Sequence, residues 1–217
     1  MFIQISKHNV GKIILTNNTS ILQNDCNSIL NTFKLVNMGN PGGNYSDLHS
    51  CKLKTKDGYI MENIWQSCKV HARTIACKHK KYDTLIWKQD AEKHLDNGII
   101  TPAYFEWKDK LIRNKYSVQY PSGYSYRNKY EFLLHDNKKY NLNTGFHEIY
   151  IPMYFDLIRN LQRFKELQDH YRSGKNLFII CDNLPYQQTY FNIITKNYVY
   201  YISSGYALAL LLLKEKN

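Results

Sequence analysis

The sequence predicts an α+β fold: one mixed domain over residues 1–217, with a small sheet surrounded by helices. Three observations lead there. Short β-type apolar runs recur near the N-terminus, in the middle and near residue 178; long stretches with helical apolar spacing lie between them; and the two alternate without a strict strand–helix–strand repeat. At 217 residues the chain has room for a sizeable core.

Phe2-Ile3-Gln4-Ile5 and Lys12-Ile13-Ile14-Leu15 read as two short strands joined by a turn at His8-Asn9-Val10-Gly11. Thr19 and Ser20 stand where they can cap a helix reaching about Phe33. Residues 39–44, Gly-Asn-Pro-Gly-Gly-Asn, are the most loop-like stretch of the chain. A strand-like piece over 48–54 and an Asp57-Gly58 turn lead to a helix at Glu62. A second helical piece covers roughly 82–96 and stops at Asn97-Gly98. Thr101-Pro102 opens a third, Thr as N-cap and Pro in the first turn, with Tyr104, Trp107 and Leu111 at helical spacing. Residues 118–124 read as a strand entering a tight turn, and 131–134 with 139–142 flank a hairpin turn at His135-Asp136-Asn137-Lys138. Ile151-Pro152 opens the longest helix. Its apolar stripe is Tyr154, Leu157, Ile158, Leu161, Phe164 and Leu167, and Gly174 is its stop. Residues 176–181 form a buried-type strand, and Ser203 and Ser204 cap a last, nearly all-apolar helix over 205–214.

Charge narrows the function classes. Lys and Arg number 29 against 18 Asp and Glu, for a net charge of +11 and a pI near 9.3. That balance favours a polyanionic partner: nucleic acid, a nucleotide-like substrate or an anionic surface. The basic residues are dispersed, as on a charged surface, and not gathered in a tail. The 19 tyrosines, with many Asn, Lys and Ile, suggest AT-rich coding as in many viruses, which lowers the functional weight of any single tyrosine. The start Met1-Phe2-Ile3-Gln4-Ile5 lacks the basic and apolar regions of a secretory leader. The longest apolar run, 206–213, is too short to span a bilayer. Five cysteines at irregular spacing suggest no disulfide framework. The expectation is a cytoplasmic protein of a reducing compartment with no membrane partner.

The densest chemistry lies in Glu62-Asn63-Ile64-Trp65-Gln66-Ser67-Cys68-Lys69. On a helix running through Lys69, the residues Glu62, Gln66 and Lys69 occupy i, i+4 and i+7 and share a face. The same composition also makes an ordinary solvated helix face, so spacing leaves both readings open. The Gly42-Gly43-Asn44 loop would let backbone amides approach a ligand, but no Lys-Ser/Thr follows it as in a phosphate loop. Lys108, Lys110, Arg113, Lys115, Arg127 and Lys129 are interleaved with Tyr104, Trp107, Tyr116 and Tyr130. Such mixtures neutralise a nucleic-acid backbone and stack bases. Cys51, Cys68, His71, Cys77 and His79 are the densest soft-ligand group, yet their spacing matches no finger, knuckle or ribbon. No metal and no cofactor is expected. There is no Gly-x-Ser-x-Gly, no local Cys/His signature and no evident carboxylate pair.

Glu62-x3-Gln66-x2-Lys69, with an aromatic immediately before the Gln, resembles the signature helix of the NADAR family. Members are N-glycosidases that act on ADP-ribosyl groups and riboflavin-pathway N-glycosides. A wider pattern is similar to uncharacterised phage, giant-virus and bacterial proteins. It comprises Glu62-Asn63-x-Trp65-Gln66-x2-Lys69-Val70, Thr101-Pro102-x-Tyr104-Phe105-x-Trp107, Tyr120-Pro121-x-Gly123, Ile149-Tyr150-Ile151-Pro152-x-Tyr154 and Gly205-Tyr206-Ala207-Leu208-Ala209. Where that pattern often has a basic residue, this chain has His147-Glu148. The resemblance implies a NADAR-like fold, Glu62 and Lys69 as catalytic groups, and a nucleotide-derived N-glycoside as substrate. Trp65, Gln66, Gly42, Gly43 and Asn44 would line the substrate, Trp65 by stacking. A carboxyl can manage protons during glycosidic cleavage, and a lysine kept neutral by burial can attack C1′ and form a Schiff base. On that second route Lys69→Arg abolishes activity. The alternative is a non-catalytic viral protein that binds nucleic acid or a host partner through its basic surface.

Overall fold

The computed structural model describes residues 3–5, 11, 13–16, 32–38, 43–72, 93–117, 130–180 and 203–214. They build an α+β fold. In chain order the elements are β1 (Ile3–Ile5), β2 (Ile13–Thr16), β3 (Phe33–Asn37), α1 (Met61–Ser67), β4 (Lys69–Val70), β5 (Leu95–Asp96), β6 (Ile99–Ile100) and α2 (Pro102–Ile112). Then come β7 (Phe132–His135), β8 (Lys138–Tyr140), α3 (Leu142–Gly145), a π-helical turn (Phe146–Tyr150), α4 (Ile151–Ile158), α5 (Gln162–Arg172), β9 (Asn176–Ile180) and α6 (Ser204–Lys214). Contacts divide the chain into two compact units, one of residues 1–49 with 151–217 and one of residues 50–150.

The first unit holds a four-stranded sheet in the order β1-β2-β9-β3. β1 and β2 are antiparallel, whereas β2 and β3 each run parallel to β9. Parallel strands covered on both faces need continuous apolar runs, and Leu177 to Ile180 supply one, every side chain buried. α6 packs on β2, β9 and α4, which explains why it is apolar all round. The long helix expected from Ile151 is two helices, broken at Leu161. Leu161 adopts an extended backbone (φ −71°, ψ 132°), and its carbonyl accepts from the amides of Phe164 and Lys165. Asn160, a weak helix former, precedes the break. Tyr154, Ile158, Phe164 and Leu167 are still buried on either side of it. Gly174 stops α5 with a left-handed φ of 82°. Phe33 opens β3 instead of ending a helix; residues 17–31, where that helix was expected, lie outside the described ones.

Gly11 permits a close crossing. Its amide donates to the Tyr171 carbonyl at 3.1 Å, and a Cβ there would overlap the Lys175 carbonyl oxygen. Gly11→Ala is expected to cost about 1–3 kcal/mol through overpacking. Urea denaturation checks this; an unchanged midpoint would mean the crossing relaxes freely.

The second unit carries the β4-β7-β8 sheet and the β5-β6 hairpin, all antiparallel. Asp136 and Asn137 (φ 47° and 61°) turn β7 into β8, as a two-residue primed turn requires. Asn97 and Gly98 (φ 49° and 79°) do the same for β5 and β6. Asn97-Gly98 is therefore a hairpin turn and not a helix stop, and residues 95–96 are strand; residues 82–92 lie outside the described ones. The strand-like reading of 48–54 also fails. A 3₁₀ turn occupies Ser46–Leu48, and pairing is limited to a bridge between Lys54 and Ile60. α2 forms as its spacing predicts: Tyr104, Trp107 and Leu111 pack with Val70 and Leu134. Thr101, however, donates its hydroxyl to the Lys93 carbonyl (2.6 Å) and does not cap the helix. Residues 118–129, including the expected strand and turn, are outside the described set. No helix among the described residues is long and apolar enough to cross a membrane.

Candidate active site around Glu62

α1 is no solvated stripe. Met61, Asn63, Trp65, Gln66 and Ser67 are all buried, so the helix is enclosed on apolar and polar sides alike. It also ends before Lys69. Ser67 Oγ donates back to the Ile64 carbonyl at 2.7 Å, and the Cys68 carbonyl accepts from the Leu134 amide at 2.7 Å. The chain is thereby drawn into β4, where Lys69 pairs with Leu133 and Val70 with Phe132. The expected i+7 relation of Lys69 to Glu62 does not exist. The lysine stands on a strand.

Glu62 and Gln66 do meet. Glu62 Oε1 accepts from Gln66 Nε2 at 2.6 Å, and Oε2 accepts from Ser50 Oγ at 2.7 Å. The Glu62 amide donates in turn to the Ser50 carbonyl at 3.2 Å, so Ser50 brackets the residue from both ends. Short charge-assisted bonds on both oxygens fix the carboxylate in one orientation. They also fix Gln66, whose amide nitrogen is committed to the carboxylate. Its Oε1 is buried and accepts no hydrogen bond among the described residues, although the side chain is only 7% exposed. Leaving a buried acceptor unmatched costs about 1–3 kcal/mol. An oriented carboxylate thus lies beside an oriented acceptor with no partner among the described residues.

Lys69 Nζ lies 5.9 Å from the Trp65 ring centroid and 5.8 Å from that of Tyr130. Both rings lie within reach of a cation–π contact with the ammonium. Trp65 cannot stack a substrate as expected. It is 2% exposed, set edge-on to Tyr150 (centroids 5.2 Å, 77°), and belongs to the core.

Gly43 and Asn44 lie in the other unit, where their roles are structural. A Cβ at Gly43 would overlap the Asn37 carbonyl oxygen. The Asn44 side chain accepts from the Asn37 amide (2.9 Å) and donates to the Leu35 carbonyl (3.1 Å), closing the end of β3. Its amide is spent on the backbone. Gly42 lies outside the described residues.

The basic set separates in the same way. Tyr104 and Trp107 are core residues and offer no face to a base. Lys108 is half-buried, and its charge acts on Cys68. The Arg113 guanidinium is held by Asp109 at 2.8 Å, a bond that raises its pKa and offsets its charge. Lys115 is exposed beside Tyr116, and Arg127 and Lys129 are outside the described residues. Two contributors had escaped the sequence reading. One is Ser50. The other is Asn63, fully buried, whose Nδ2 donates to the carbonyls of Asn114 (3.2 Å) and Tyr116 (2.9 Å). A polar, weakly helix-forming Asn inside a short helix was the available signal.

The structure also assembles a cysteine, a histidine and an aspartate in series. Cys68 Sγ is 3.9 Å from His135 Nδ1, and His135 Nε2 is 3.5 Å from Asp136 Oδ2. The sequence hides this grouping because it joins the end of α1 to the β7–β8 turn. Burial, however, pushes the Cys68 thiol up to about 11, against the opposing pull of Lys108 and Lys69. At neutral pH it is a buried thiol and not a nucleophile. Iodoacetamide at pH 8 is expected to modify the partly exposed Cys51 and to spare Cys68 until the protein is unfolded or the pH nears that value. Peptide mapping checks it; equal rates at the two cysteines would contradict the burial argument. No group of three or more metal-ligating side chains occurs among the described residues, and Cys77 and His79 lie outside them.

Compared with family models, curated proteins and solved structures, the chain matches none, so the resemblance noted for residues 62–69 stands on those residues alone.

Proposed function

We propose that the chain is an N-glycosidase of the NADAR type, acting on a nucleotide-derived N-glycoside such as ADP-ribose attached to nucleic acid. One observation carries the reading: the Ser50–Glu62–Gln66 hydrogen-bond chain, which holds a carboxylate and an unused buried acceptor side by side. The net charge of +11 suits the phosphates of such a substrate.

Cleavage adds water across the bond between C1′ and nitrogen. Glu62 takes a proton from the attacking water as its oxygen bonds to C1′, and the electrons of the broken C–N bond leave with the nitrogen. That nitrogen then gains a proton, returned by Glu62 or taken from solvent, so atoms and charge balance. In carboxylate form Glu62 also stabilises the positive charge that develops at the sugar carbon. The Gln66 Oε1 accepts a hydrogen bond from a sugar hydroxyl or a base N–H and so orients the ring. Lys69 acts as a fixed cation toward phosphate or toward the departing nitrogen.

This assignment replaces the Schiff-base route and makes a distinct prediction. Lys69→Arg is expected to keep activity within about tenfold, because a guanidinium also stacks on aromatic rings and stays charged. Lys69→Met is expected to lose far more, and borohydride is expected to trap no adduct with the wild type. Rates of ADP-ribose release from an ADP-ribosylated oligonucleotide, followed by liquid chromatography, test all three. A trapped adduct dependent on Lys69 would restore the imine mechanism.

A further inference from the structure

We infer that residues 114–116, which follow α2, form a base-stacking platform for single-stranded nucleic acid, anchored by Asn63 of the helix that bears Glu62. Three large apolar side chains are well exposed among the described residues: Ile99 at 72%, Phe105 at 50% and Tyr116 at 67%. Ile99 has no π face. Phe105 sits on α2 with the acidic Glu106 beside it, and the charge of Asp109 one turn on is already matched by Arg113. Tyr116 instead follows the exposed Lys115, which makes no ion pair among the described residues.

The turn is also rigid. Asn63 Nδ2 grips the carbonyls of both Asn114 and Tyr116, and the Asn114 side chain accepts from the Tyr116 amide at 2.8 Å. The Asn114 amide is itself tied to the Leu111 carbonyl at 3.2 Å. Both backbone polar groups of Tyr116 are therefore engaged, while its ring stands out in solvent. An aromatic held in place before binding loses little entropy when a base stacks on it. Lys115 supplies a charge for the adjoining phosphate. Bases in a duplex have their faces covered, so the geometry selects a single strand. Asn63 directly follows Glu62, which ties the platform to the helix bearing the carboxylate.

The test is fluorescence anisotropy with the full-length chain and a short labelled oligothymidylate, at low and at higher salt. Tyr116→Ala is expected to weaken binding by about tenfold or more, as loss of one stacked base does. Tyr116→Phe, which keeps the ring face, is expected to bind like the wild type. Lys115→Gln is expected to reduce the slope of log affinity against log salt by about one. A strand of the same length without bases should bind the wild type and Tyr116→Ala equally. Wild-type affinity in Tyr116→Ala, an equal loss on the baseless strand, or equal binding of a duplex would each overturn the proposal. Should Tyr116→Ala alter the circular dichroism spectrum, the comparison of Tyr116→Phe with Tyr116→Leu decides in its place: a similar affinity for both would overturn it. The readout is binding and the probe carries no ADP-ribose, so this result stands or falls apart from the catalytic reading.

Discussion

Glu62→Gln is expected to lower kcat for N-glycoside cleavage by about 10²–10⁴-fold, the usual contribution of a general acid or base. The substitution keeps shape and removes the charge. Ser50 Oγ can still donate to the new side-chain oxygen. Gln66 can rotate its amide so that its oxygen accepts from the new NH₂ group, where its nitrogen now donates to a carboxylate at 2.6 Å. That rotation satisfies the pair and keeps α1 in place, so thermal stability should change little. It also consumes the acceptor assigned to substrate, and KM should rise as well. A variant with full activity would remove Glu62 from the chemistry. A variant with lost activity and lost helicity would show a structural role instead.

Asn63→Ala is expected to reduce stability by about 1–3 kcal/mol, since it strips the donor from two backbone carbonyls at once. For a chain of this length the fall in Tm should be roughly 2–10 °C. Asn63→Asp should be worse than Ala, because it buries a carboxylate against two carbonyl oxygens. Both variants should also loosen residues 114–116 and weaken oligonucleotide binding, although neither touches the exposed surface: Asn63 is 0% exposed. Thermal denaturation with matched binding titrations checks the pair of effects. A Tm shift without a change in affinity would separate the anchor from the platform.

The fold class was legible in the sequence because its signals are local. The apolar run at 177–180 became the central strand β9, and Tyr104, Trp107 and Leu111 buried themselves on α2 as their spacing required. Misreadings arose where tertiary pairing decides. Nothing near residue 69 shows that β7 will recruit Lys69 and Val70 into a sheet, so α1 read as two residues longer than it is. Asn97-Gly98 ends helices and turns hairpins alike, and only the pairing of Leu95 with Ile100 separates the two.

The candidate site divides along the same line. The contact between Glu62 and Gln66 followed from i, i+4 spacing. The bond from Ser50 to Glu62 spans twelve positions and the grip of Asn63 on Tyr116 spans 53, beyond the reach of any pattern in the chain. Trp65 read as a stacking residue because aromatic character is visible in sequence, whereas its 2% exposure is not.

Product analysis tests the central claim most directly. The purified full-length chain would be incubated with an oligonucleotide bearing ADP-ribose on a base, with free nucleosides and with riboflavin-pathway N-glycosides, and each mixture analysed by mass spectrometry. The predicted result is release of free ADP-ribose and of the unmodified oligonucleotide from at least the ADP-ribosylated strand, by the wild type and not by Glu62→Gln. Intact substrate in every mixture, from a protein that still folds and binds the oligonucleotide, would contradict it.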